Sequence, residues 1–148
     1  MKILVLSNLY PPNHIGGYEM LCQEIVDTLA ARGHTIMVLT SNFGANQSEA
    51  TPGIERKLRL ESDIYHYHPQ QVLRYWSDLN WNLEHLRMVI AGFRPDVVSV
   101  WGMWNLSKDV AQEVERLMGD RVVYYLANAW PIEPSMHRAY WDTAENRW

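Results

Sequence analysis

The sequence predicts a doubly wound α/β domain, a Rossmann-like parallel sheet in strand order 3-2-1-4-5 with helices on both faces. Three observations carry that prediction. Short, nearly continuous apolar runs at residues 2–7 (KILVLS), 35–41 (TIMVLTS) and 97–101 (VVSVW) have the pattern of strands covered on both sides. Segments with apolar residues at helical spacing separate them. Right-handed crossovers between successive parallel strands then favour this order.

The first strand ends before Asn8, and the loop NLYPPNHIGG leads into an amphipathic helix beginning near Tyr18. In that helix Leu21, Ile25, Val26 and Leu29 recur on one side, and Gly33 stands where helices commonly end in the left-handed conformation. With the second strand this makes a βαβ unit. Residues 42–53 are rich in Asn, Gln, Ser, Gly and Pro and read as a loop, and residues 54–60 alternate as a third strand.

Val72, Trp76, Leu79, Leu83, Leu86 and Ile90 follow a four-three spacing, which predicts one helix over 70–91 with a single apolar stripe, closed off by Pro95. A fourth strand over 97–101, a third helix over 107–118 carrying Val110, Val114 and Leu117, and a fifth strand over 121–126 follow. The last segment, IEPSMHRAYWDTAENRW, is expected to contain helix but no further strand.

At 148 residues, 47% hydrophobic and 20% charged, the composition is that of one globular domain with a real core. A net charge of -4 with no basic stripe argues against nucleic-acid binding, which needs cations to displace phosphate counterions. The single cysteine, Cys22, excludes an internal disulfide and fits a reducing compartment; its place on the apolar side of the first helix predicts an inert thiol. The N-terminal apolar run is too short for a signal peptide, and no stretch approaches the roughly 20 apolar residues of a membrane span, so a cytoplasmic location is expected.

Ligands of such sheets bind beyond the strand carboxyl ends at the switch point, here between strands one and four. Gly16, Gly17 and Tyr18 occupy the loop and first helical turn after strand one, where unpaired N–H groups attract anions; they are expected to contact a phosphate or an acceptor. The loop lacks a G-x-G-x-x-G, so a dinucleotide grip is not predicted. It also lacks the phosphate loop of flavodoxin-like proteins, and strand one lacks the acidic end that receiver domains need. Of the seven tryptophans, Trp101, Trp104, Trp130 and Trp141 stand beside expected strand ends in the last third. Trp104, Asn105, Asn128 and Trp130 together offer stacking and amide hydrogen bonds to a sugar, although both indoles could equally serve packing. Glu19 reads as a carboxylate complementing the helix dipole, and His34 as a structural hydrogen-bonding group. His66 and His68 share chelating spacing without a third ligand, so no metal site is predicted.

The segments ILVLSNLYPP and GGYE, the ARGH before strand two, VLTS at its end, PDVVSVWG around strand four and NAWP after strand five resemble the N-terminal domain of family-4-type glycosyltransferases across essentially the whole chain. The resemblance implies the GT-B architecture, two Rossmann-like domains across a cleft. It also implies retaining transfer from a nucleotide-sugar co-substrate, with no cofactor or metal. It makes residues 1–148 the acceptor-side domain, inactive alone, with the C-terminal donor-binding domain absent. Many relatives carry histidines after strands four and five; Trp101 and Ala127 stand there in this chain. Catalytic residues are therefore left unassigned. The alternative is a non-catalytic glycan- or protein-binding module of the same fold. Weak peripheral membrane contact of the long helix around Trp76 and Trp81 is a lesser expectation, since Arg74 and Arg87 are offset by Asp78 and Glu84. Self-association through an exposed sheet edge is a further one.

Overall fold

Successive side chains of a strand alternate between faces, and in β1 (Lys2–Ser7) Ile3 and Val5 turn to one side while Leu4 and Leu6 turn to the other, all four buried. A strand buried on both sides needs partners along both edges. In the computed structural model, which describes residues 1–44 and 51–145, β1 lies between β2 (Thr35–Ser41) and β4 (Val97–Val100), parallel to both. β3 (Ile54–Leu58) and β5 (Val122–Tyr124) form the edges, giving the order β3-β2-β1-β4-β5.

α1 (Gly17–Ala31) covers one face, with Cys22 and Val26 packed on Ile3, Val5 and Val38. α2 (Tyr75–Phe93) and α3 (Lys108–Met118) cover the other, bringing Leu79, Leu86, Val110 and Val114 onto Leu4, Leu6, Val98 and Val100. The doubly wound arrangement follows from these two cores. α2 and α3 are further joined by Glu113, whose carboxylate takes Arg87 Nε at 2.7 Å and Arg116 NH2 at 2.7 Å. A last helix, α4 (Met136–Glu145), follows β5.

Several boundaries differ from the sequence expectation. The helix expected over 70–91 is two elements, a 3-10 helix (Pro69–Leu73) and then α2, because Pro69 opens a tight turn that ends at Arg74 before the α-helix begins. Val72 and Trp76 therefore leave the apolar stripe, and Trp76 is 71% exposed. Ile25 is likewise exposed rather than core. β3 ends at Leu58, β4 at Val100 and β5 at Tyr124, each short of the expected end. Of the loop expected over 42–53, residues 45–50 lie outside the described residues, as do 146–148 of the final segment. Among the described residues no helix is long and apolar enough to cross a membrane.

Candidate functional site

The switch point between β1 and β4 is bridged by protein. Asn8 donates its backbone N–H to Gly102 O at 2.7 Å and its side-chain amide to Trp104 O at 2.9 Å. Gly102 is needed for this approach, since a Cβ there would stand 2.8 Å from Asn8 Oδ1 and 2.9 Å from the Tyr18 ring. Tyr18 lies edge-on to Trp101 with 5.6 Å between ring centroids, Trp101 stacks on Tyr125 at 4.4 Å, and the Tyr18 hydroxyl donates to Tyr125 O at 2.6 Å. Burial, aided by the nearby Cys22 and Tyr125, pushes the Tyr18 phenol above its usual range and keeps this donor protonated.

The start of α1 carries its own anion. Gly16 N donates to Glu19 Oε2 at 3.0 Å, and Glu19 is buried. This is the side-chain half of a capping box, and it puts a carboxylate at the positive end of the helix. Open space surrounds Gly17, where a Cβ would meet nothing within 4 Å. Burial, with a further contribution from Glu19, pushes the Cys22 thiol behind this turn up to about 12, so it stays protonated and unreactive.

Trp104, Asn105 and Trp130, expected near one another on the carboxyl edge, line a single cavity of about 30 Å³. That is about the volume one hydroxyl or water occupies. Asn105 adopts φ 62°, a left-handed conformation that asparagine tolerates, and its backbone carbonyl accepts Glu61 N–H at 2.8 Å. Its amide donates to Asp63 O at 3.2 Å, whereas its Oδ1 is buried without a hydrogen-bond partner. Trp130 Nε1, also in a buried residue, is equally unpartnered. Asn128 is exposed and stands behind this wall, its Oδ1 accepting Trp130 N–H at 3.4 Å.

Glu61 lines the same cavity and was not singled out from the sequence. Burial pushes its carboxyl up to about 7, with the Asp109 charge adding to the shift and Ser107, whose hydroxyl donates to Asp109 Oδ2 at 2.8 Å, opposing it. Ser107 caps α3, its Oγ facing Asp109 N at 3.3 Å, so Glu61 sits by a helix start. The available signal was position: Glu61 lies just past the carboxyl end of β3, where doubly wound sheets present functional groups.

Glu61 also belongs to an open cleft of about 420 Å³ beyond β2 and β3, which is shared with Asn42, Phe43, Arg59, Asp63 and Arg74. Arg59 is committed there, with NH1 on Asp78 Oδ1 at 2.9 Å and its guanidinium over the Trp81 ring at 4.0 Å. No protein-family model and no curated protein matches this chain. The assignment of a role thus rests on the residues.

The segment entering α4 closes one side of the small cavity, which Glu133, Ser135 and Met136 help to line. It is pinned by His137, whose Nδ1 meets the Tyr67 hydroxyl at 2.6 Å while its ring stacks on Tyr75 at 5.1 Å. A larger concavity of about 590 Å³ runs along the outer face of α1, lined from Gly17 to Ala31 by that helix alone. It has no converging polar groups from a second element, so the carboxyl edge is the better site. His14, His66 and His68 are exposed, and among the described residues no three His, Cys, Asp or Glu side chains gather as metal ligands would.

Proposed function

We propose that this chain is the acceptor-side domain of a retaining, nucleotide-sugar-dependent glycosyltransferase of GT-B type, and that the 148 residues alone transfer nothing. The observation that carries the reading is the ordered run of ILVLSNLYPP, GGYE, ARGH, VLTS, PDVVSVWG and NAWP along one chain. The carboxyl edge supports it, since a cavity walled by two indoles, an amide and a carboxyl suits a sugar hydroxyl. The donor nucleotide is held mainly by a second domain outside this sequence, and the protein works in the cytoplasm on a glycan or lipid-linked acceptor.

In this reading the leaving phosphate takes the acceptor proton on the front face of the donor sugar. Trp101 and Ala127 stand where many relatives have imidazoles, and Trp101 is buried in an aromatic stack, so no side chain at those two places moves a proton. The test is to incubate the natural protein, isolated from its source, with a panel of nucleotide sugars and acceptors. A glycoside of retained anomeric configuration is expected. A complete two-domain protein that transfers no sugar counts against the reading.

The same two positions favour one second reading, a glycan- or protein-binding module without chemistry. It predicts that the natural protein binds a glycan, that Trp104→Ala or Trp130→Ala weakens binding, and that nucleotide sugars remain intact.

A further inference from the structure

Arg59, in the open cleft beyond β2 and β3, is held on three sides with donors to spare. Its backbone is paired by Asn82, its NH1 donates to Asp78 Oδ1 at 2.9 Å, and its guanidinium lies 4.0 Å over the Trp81 ring. That ring is itself anchored, with Trp81 Nε1 donating to Lys57 O at 2.8 Å. Among the described residues Arg59 Nε and NH2, the edge that pairs side-on with two oxygens, have no acceptor. A guanidinium already immobilised gives up little further freedom on binding, so this edge is preorganised for an oxyanion.

A second guanidinium stands beside the first. Arg74 Nε is 3.8 Å from Asp78 Oδ2, too far for a hydrogen bond, and its side chain is 71% exposed. Two arginines thus share one aspartate, which leaves one positive charge over. Gln71 lines the same cleft, and its Oε1 is taken by His68 N–H at 3.1 Å, so its amide N–H donors are the end left to give.

The cleft also holds acceptors that these cations do not use. Neither Glu61 nor Asp63 forms an ion pair with Arg59 or Arg74. Burial holds Glu61 neutral below about 7, and Asp63 Oδ1 takes Tyr65 N–H at 3.0 Å. A phosphate calls for the first set of groups and sugar hydroxyls for the second, with Phe43 as an apolar surface for the ring. Inorganic phosphate engages the first set alone, and a neutral sugar the second alone.

We propose that the cleft beyond β2 and β3 binds a phosphorylated sugar, its phosphate on the free edge of Arg59 and on Arg74 and its hydroxyls on Asp63 and Glu61. The proposal rests on the sugar-transfer reading and adds the class of acceptor.

The test uses the 148-residue chain labelled with 15N at about pH 6.5, where a phosphate monoester is largely dianionic. It is titrated to about 20 mM with the 1-phosphates and 6-phosphates of glucose, galactose and mannose, with the matching neutral methyl glycosides, and with inorganic phosphate. The Arg59 Nε–H resonance is followed together with the Trp81 indole. At least one sugar phosphate is expected to shift both, about tenfold more tightly than its methyl glycoside and several-fold more tightly than inorganic phosphate. Arg59→Lys, which keeps a cation beside Asp78 but loses the side-on edge, should weaken binding about tenfold, read from the Trp81 indole. Arg74→Gln, at an exposed position, should weaken it several-fold, and Lys57→Gln, a nearby cation outside the cleft, should leave it unchanged. The remaining amide resonances report that each variant stays folded. The proposal is overturned if no sugar phosphate moves the Arg59 resonance, if inorganic phosphate or a neutral glycoside binds as tightly, or if Arg59→Lys and Arg74→Gln both bind unchanged. Sugar-phosphate binding here without transfer by the natural protein would remove the enzyme reading alone; transfer with these resonances unmoved would remove the cleft assignment alone.

Discussion

Asn82 on α2 completes the end of β3: its Oδ1 accepts Arg59 N–H at 2.7 Å and its Nδ2 donates to Arg59 O at 2.8 Å. A side-chain amide here takes the place of a neighbouring strand, satisfying both backbone groups of the residue at the mouth of the cleft. It also explains how the chain leaves the sheet after Leu58 with its polar groups paired. Asn82 is 2% exposed, so Asn82→Ala would leave the Arg59 groups poorly solvated and open a cavity. The expected cost is about 2 to 4 kcal/mol in urea unfolding. A loss under about 0.5 kcal/mol, within the range of ordinary surface substitutions, would mean that Arg59 finds other partners.

Gly102 predicts a coupling. The Cβ of Gly102→Ala would press on the Asn8 amide and the Tyr18 ring, and both are anchored, to Trp104 O and Tyr125 O respectively. Overpacking of this kind costs about 1 to 3 kcal/mol. In a Tyr18→Ala background one of the two obstacles is gone, so the same substitution should cost about 1 kcal/mol less. A double-mutant cycle measures this directly. Strict additivity would show that the clash is relieved by Asn8 or the backbone rather than borne by the ring.

Two glutamates give stability opposite slopes with pH. Hydrogen bonds from Arg116 and Arg87 hold Glu113 down to about 2, below an ordinary 4.5. Its contribution is therefore present above pH 4.5 and lost as pH falls toward 2. Because both arginines are largely exposed to solvent, that contribution is about 1 to 2 kcal/mol. Glu61 is displaced the other way, to about 7, so its ionisation destabilises the fold as pH rises from 4.5 through 7. Glu61→Gln should therefore gain up to about 3 kcal/mol over the native protein at pH 8 compared with pH 4. Glu113→Gln should flatten the acid limb alone. Parallel pH profiles for the native protein and Glu61→Gln would remove the claim that burial holds this carboxyl neutral.

How much of this was legible follows from how local each cause is. Burial on both faces writes itself into consecutive residues, so the strand cores of β1, β2 and β4 and their order could be read from the sequence. Ends set by distant partners could not: Arg59, the first residue past β3, pairs with Asn82, which is 23 residues further along the chain. The four-three spacing across Val72 and Trp76 ran through the 3-10 turn because apolar spacing does not record a change in helix type. Trp104, Asn105 and Trp130 were visible as indoles and an amide beside strand ends, and they share one cavity; Asn128, chosen on the same grounds, braces the turn behind it. Glu61 gave no such signal. Its environment is built by the 105–109 segment and the lead into α4, none of which is near it in sequence.

Glu19 decides what the loop before α1 can hold. Its carboxylate already takes Gly16 N–H and meets the helix dipole, so an incoming anion finds one donor fewer and a negative charge nearby. Removing it in Glu19→Ala should cost about 1 kcal/mol in thermal or urea unfolding, since one backbone donor loses its partner. The same variant should bind inorganic pyrophosphate several-fold more tightly than the native chain, by simple removal of repulsion near the helix start. Amide resonances report where: in the native chain pyrophosphate is expected to move Gly17 and Tyr18 and spare Gly16, whereas in Glu19→Ala all three should move. If Gly17 and Tyr18 stay fixed in both proteins, the loop is not an anion site, and its glycines serve the chain's path into α1.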